Sequence, residues 1–327
     1  MRRTAGSIGA GLIFLALSCW AVLAIVYTNF PAWARYAGAA FFIAAALAAV
    51  SLSKKRGRKM IWFFSLFALV LAWWLTLSPR NDRDWEPDVA VLPWAEIGAG
   101  GATVHNIRNC DYRTETDYTV RHYDAAFRLG DLRTMDLFLV DWGLPHIAHA
   151  MVSFGFAGGK HLCFSIETRK TKGEEYSAVK GFFRQYELTY VAADERDAVR
   201  LRANYRKGED VYLYHIKADQ AIVQDIFLAY LRAINDLKKK PWWYNALTAN
   251  CTTAIWGHVF PYYPKAKLDW RILASAHIPE MIYELGVVDT TLPLAELKKR
   301  SLINERSRAA DKDPDYSKAI RRGLPGF

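Results

Sequence analysis

Four cysteines occur in the 327 residues, and one of them stands in polar company: Asn250-Cys251-Thr252-Thr253, preceded by Trp242-Trp243-Tyr244. Asn250 is a good helix N-cap, which puts Cys251 in a first turn. There, exposed backbone N–H groups and the positive end of the helix dipole favour a thiolate. A thiolate so placed is a nucleophile. The competing reading is a buried structural cysteine, a common fate of free thiols, but the Asn-Cys-Thr-Thr surroundings argue against an apolar burial site.

A thiolate nucleophile needs a base and a group that orients the base. His149 opens a strand-like run (HAMVSF), with Met151 and Ser153 on its own face by the period of two. His105, His122, His146, His161, His215, His258 and His277 are its competitors. His149 is preferred for what stands opposite it. If Ala157–Gly159 is the hairpin loop, Phe156 pairs with Lys160 and His149 with Glu167. That sets a carboxylate on the imidazole's face at a Cβ separation of about 5 Å. A two-residue loop would put Thr168 there instead, and Glu167 also reads as an exposed strand carboxylate paired with Arg169 or Lys170. The candidate site is therefore Cys251 as nucleophile, His149 as base and Glu167 as orienter, with Asn250 and Ser153 in support.

Other polar groups point nowhere as sharply. Ala193-Asp194-Glu195-Arg196-Asp197 carries three carboxylates without His or Cys at ligand spacing, and reads as a solvated turn or helix start. No CxxC pair, HExxH, phosphate-binding Gly-rich loop or GxSxG occurs. No metal and no cofactor is expected.

The elements that must position these residues are short and strand-like from Ala102 on: Ala102–Arg108, Met135–Val140, His149–Phe156, His161–Thr168, Gln185–Val191 and Val211–Lys217. An antiparallel sheet is the economical arrangement. After Asp219 the period turns helical through Leu237 and stops at Lys238-Lys239-Lys240-Pro241. A second helix starts at Cys251 and a third covers Ile278 to Leu285. The spacing makes residues 80–101 a linker, 102–304 the catalytic domain and 305–327 a polar, extended tail. The class is α+β.

Residues 1–79 are of another kind. Gly11–Tyr27, Tyr36–Leu52 and Met60–Leu77 are apolar runs near the length that crosses a bilayer, which predicts three transmembrane helices. The formal charge of +10 divides unevenly: this region holds eight Lys or Arg and no acid, leaving 35 bases against 33 acids beyond it. Arg2, Arg3 and the Lys54–Lys59 cluster place those ends in the cytoplasm and the rest of the chain outside. The basic excess is thus a topology signal, and nucleic acid is not an expected partner. Trp73, Trp74 and Trp85 fall where an interfacial aromatic belt belongs.

Taken in order, Asn106-Ile107-Arg108-Asn109, the Ala148–Phe154 strand, Ser165–Arg169, Tyr186-Glu187-Leu188, Asp194–Asp197 and Tyr244-Asn245 through Thr253 resemble the Lnb family of bacterial lipoprotein N-acyltransferases. The similarity runs from about His105 to Ile255. It implies a circularly permuted papain-like thiol fold, related to the lecithin:retinol acyltransferase group, in a periplasmic domain on the inner membrane. It also implies that Cys251, with His149 as base, takes an acyl chain from a glycerophospholipid as a thioester. The chain then passes to the α-amino group of the diacylglyceryl-cysteine of an apolipoprotein. The wider group often uses a second His on the partner strand; His161 is its nearest equivalent, yet it pairs near Phe156 and misses His149. Two other readings stand beside this one: a cysteine peptidase or amidase acting on cell-wall peptides, and a non-enzymatic membrane-anchored binding protein.

Overall fold

The apolar N-terminal runs form helices α1 (Arg2–Val26), α2 (Ala32–Leu52) and α3 (Arg56–Thr76). The structure is a computed structural model and describes residues 2–52, 54–263 and 269–327. Two helices, Ala32–Leu52 and Gly57–Thr76, are long and apolar enough to cross a membrane, while the apolar stretch Gly11–Val26 is shorter. At 1.5 Å per residue that stretch reaches about 24 Å, short of the roughly 30 Å of a hydrocarbon core. The expected three spans are thus corrected to two. The side chains of Arg2, Arg3 and Arg56, used in the orientation argument, lie outside the described residues.

The chain divides into two units. One comprises Met1–Arg80 with Tyr176–Glu187 and Trp243–Ala246. Aromatic side chains hold its helices together: Phe14 meets Phe63 at 4.5 Å and Trp20 meets Trp74 at 5.3 Å, both edge to face. Arg184 caps the end of α3, donating to the carbonyls of Trp74, Leu75 and Leu77 with its guanidinium over the Trp74 ring. A cation is favoured there by the helix dipole and satisfies carbonyls the helix leaves open.

The other unit comprises Asn81–Glu175, Leu188–Trp242 and Leu247–Phe327. Its strands are β1 (Trp94–Gly98), β2 (Gly101–Arg108), the short ribbon β3 (Asp111–Tyr112) and β4 (Tyr118–Thr119), β5 (His122–Arg128), β6 (Leu132–Asp141), β7 (Ala148–Phe156), β8 (His161–Arg169), β9 (Glu187–Ala193) and β10 (Asp210–Ile216). The large sheet has the order β1-β2-β9-β8-β7-β6-β10, with β5 also on β2. It is mixed, not purely antiparallel, because β2 and β9 pair in parallel. Residues 80–101 are more than a linker, since Trp94–Gly98 is an edge strand of this sheet.

Each face of the sheet carries its own core. Ala148, Ala150, Val152 and Phe154 of β7 pack on α5 (Gln220–Lys239), α6 (Cys251–Val259) and α7 (Ile278–Glu284). Met151 points the other way, with Phe138, Val140 and Cys163, toward α4 (Glu195–Arg200) and the C-terminal residues. Those residues are folded: α8 (Leu294–Ser301) leads to α9 (Asn304–Ala309) and α10 (Tyr316–Arg321), and Tyr316, Ile320 and Arg321 are buried. Residues 305–327 are therefore not an extended tail. Charge dominates their composition, but Tyr316 and Ile320 pack in the core of this face, and Arg321 pairs with Asp136 of β6 and Glu195 of α4.

Candidate active site

The hairpin β7–β8 sets the register of the site. Gly158 and Gly159 adopt φ of 79° and 82°, a region that glycine enters without steric cost, and Phe156 N–H donates to Lys160 O. This is the three-residue loop Ala157–Gly159, and it puts Met151 opposite Ser165. Two residues on, His149 and Glu167 share a face, with His149 Nε2 3.8 Å from Glu167 Oε1. The direct partner of His149 is Ser165, whose Oγ lies 2.8 Å from Nε2 and donates to Glu167 at 2.6 Å. A hydroxyl has one proton to give. With that proton on Glu167, Ser165 must accept from His149 Nε2–H, and Nδ1 keeps the lone pair a base requires.

Arg202 completes the relay. It lies in a π-helical turn, Leu201–Tyr205, is buried, and its Nη2 contacts Glu167 at 3.1 Å. Burial alone would raise the Glu167 carboxyl, but Arg202, and after it His149, outweigh burial and hold it well below its ordinary range. Burial first, and then Arg202, push His149 down to about 3, so the imidazole is neutral at physiological pH. Trp142 stacks parallel to its ring, 6.4 Å away.

Cys251 arrives from the other face. Asn250 is the N-cap of α6: its side chain accepts from Thr253 N–H, and the Thr253 hydroxyl accepts from Asn250 N–H, a complete capping box. The thiol packs with the α6 side of the sheet and receives the backbone N–H groups of Ala150 and Thr252. Burial outweighs these donors and raises the thiol, so placement at a helix start does not by itself give the resting thiolate expected from the sequence.

His149 and Cys251 thus approach the start of β7 from opposite faces, and no hydrogen bond joins them among the described residues. The β7–β8 ladder begins at Met151–Ser165, so both residues lie beside its unpaired end, where the Ala150 amide faces the sulfur.

Ser153 is not part of this relay. It donates to Glu195 at 2.6 Å, in a network where Arg321 bridges Glu195 and Asp136. The Asp194–Asp197 cluster is a helix start, with Asp194 as N-cap, but it is not solvated: Glu195 and Asp197 are fully buried, and Asp197 pairs with Arg108 at 2.7 Å. Thr168 takes no part in the relay, and His161 bonds to Gly159 O. Ser165 and Arg202 are the site residues the sequence did not reveal; the only signal for Ser165 is that it lies two residues before Glu167 on one strand face.

Ser165→Ala should lower the turnover of the site by roughly 10–100-fold with KM unchanged, because the imidazole loses the acceptor that fixes its tautomer. Ser165→Thr keeps the hydroxyl and should restore most of the rate. Steady-state rates of the two variants check this; equal rates would remove Ser165 from the relay.

Residues 118–276 match the family model of the Lnb N-terminal periplasmic domain, a stretch that takes in His149, Glu167, Asn250 and Cys251. No curated protein and no solved structure matches the chain. The match supports a Lnb-family protein with a domain of periplasmic type.

Proposed function

Taking a Lnb-family protein as the premise, we propose that this chain is a membrane-anchored lipoprotein N-acyltransferase of the bacterial inner membrane. The observation that carries the reading is a capped helix bringing Cys251 to the Ala150 amide, next in chain to a neutral histidine whose Nδ1 lone pair is left free by the Ser165–Glu167 relay that Arg202 anchors. A strand histidine ahead of a helix-borne cysteine supports the permuted papain-like reading of the fold.

Cys251 Sγ attacks an ester carbonyl of a glycerophospholipid while its proton passes to His149 Nδ1. The Ala150 and Thr252 N–H groups are donors that the developing oxyanion can take over. The C–O bond breaks, the proton goes to the departing lysophospholipid oxygen, and a thioester remains. The α-amine of a diacylglyceryl-cysteine apolipoprotein then attacks the thioester. The C–S bond breaks, the amide forms, and the thiol regains a proton through His149.

Anchoring serves this chemistry because donor and acceptor both reside in the bilayer. The basic segment 54–59 links the two helices of spanning length and runs into the start of the second. Set in the cytoplasm, it places all that follows the second of them in the periplasm, whatever the shorter first helix does. The test is expression in a strain lacking other N-acylation activity, with the mass of a lipoprotein N-terminal peptide as readout. A gain of one acyl chain is expected. No gain, together with cleavage of muropeptides, would make the protein a cysteine amidase instead.

A further inference from the structure

An apolar pocket lies between the sheet and helices α5, α6 and α7, walled in part by Ala150, Val152, Tyr230, Thr252, Ile255 and Met281. Two of its lining residues flank the nucleophile: Thr252 follows Cys251 in the chain, and Ala150 is the residue whose N–H faces the thiol. Val152 stands on the same face of β7 two residues further on, about 7 Å away, so the wall leads from the sulfur along the strand. The Thr252 hydroxyl faces inward to Ile272 O at 2.5 Å. The Tyr230 hydroxyl is fully buried and has no hydrogen-bond partner among the described residues.

We infer that this pocket holds the fatty acyl chain that Cys251 carries, and that its depth selects chain length. The inference rests on the acyl-transfer reading of Cys251. A fatty acyl group is apolar along its length and bears one acceptor oxygen at its carbonyl end, which matches an apolar wall with a single unpartnered hydroxyl. The clear space is about 100 Å³. A 150 Å³ cavity holds a benzene ring, so the pocket admits roughly four carbons as it stands. Longer chains require the wall to give, and Met281, unbranched and adaptable, is the side chain suited to it.

Two measurements on the full chain in detergent test this. The first offers phosphatidylcholines with butyryl or myristoyl chains and reads the masses of the adducts on Cys251. Val152→Phe, which blocks the pocket beyond the reach of a butyryl chain, should lower the myristoyl-to-butyryl ratio by roughly fourfold for each methylene it excludes; Met281→Phe serves if the first variant fails to fold. An unchanged ratio in a folded variant overturns the inference. The second exposes Cys251→Ala to a diazirine-bearing fatty acid and maps the cross-links, which needs no catalysis. Cross-links on the Val152, Ile255 or Met281 peptides are expected, and cross-links confined to helices α2 and α3 overturn it. Pocket cross-links without any adduct on the wild-type chain would instead sink acyl transfer while leaving the pocket.

Discussion

Replacing Cys251 by alanine should lower lipoprotein N-acylation by at least about a thousandfold, because the acyl chain is carried on its sulfur. The substitution removes one sulfur from a partly buried position and leaves the Asn250–Thr253 capping box intact, so folding should persist. Cys251→Ser should be nearly as inactive. Burial already raises the thiol, and a hydroxyl is harder still to ionise with a base depressed to about 3. His149→Ala should fall to a similar level, and the double variant should be no worse than either single one, since the two groups act as a unit. Transfer rates from a phospholipid donor to a diacylated peptide check all three; a Cys251→Ala rate within tenfold of wild type would remove the thiol from the mechanism.

The largest loss of stability is expected far from the sulfur, at Arg321. Its guanidinium bonds Asp136 at 2.8 Å and Glu195 at 2.6 Å, and both carboxylates are fully buried. Arg321→Met leaves two buried acids without their cation, a change that costs about 3–5 kcal/mol. The unfolding midpoint should then fall by roughly 10 °C. Acid should narrow the gap between the two proteins. Burial would raise Glu195, but Arg321 outweighs it and lowers the carboxyl from 4.5 to about 2. A depressed acid stabilises the fold fully above its unfolded value, and that contribution fades as pH falls from about 4.5 toward 2. Thermal unfolding at pH 7 and at pH 3 checks both points, and a variant midpoint equal to wild type at pH 7 would show the network to be dispensable.

What the sequence reveals here is local. Asn250 as N-cap, the Ala157–Gly159 turn and the alternation along His149–Phe156 depend on neighbours in the chain, and the structure has each of them. Charges that find partners across long stretches are a different matter. Arg202 reaches Glu167 from 35 residues away, and Arg321 reaches Asp136 from 185. Nothing in composition distinguishes such a residue from a solvated one, which is why residues 305–327 read as a tail and Asp194–Asp197 as surface. Ser153 fails for the same reason: the strand period gives its face correctly, but Glu195 claims its hydroxyl. The edge strand Trp94–Gly98 is hidden by its proline-bearing approach, and its pairing with β2 comes from a turn at Gly98–Gly101 rather than from a strand-like composition.

One mass measurement tests the Cys251 thioester most directly. Intact protein, purified in detergent and exposed to phospholipid with no acceptor, should gain the mass of one acyl chain. The gain should map to the Cys251 peptide, be released by hydroxylamine and be absent from Cys251→Ala. An unmodified wild-type protein, or the same gain in Cys251→Ala, would contradict a Cys251 thioester.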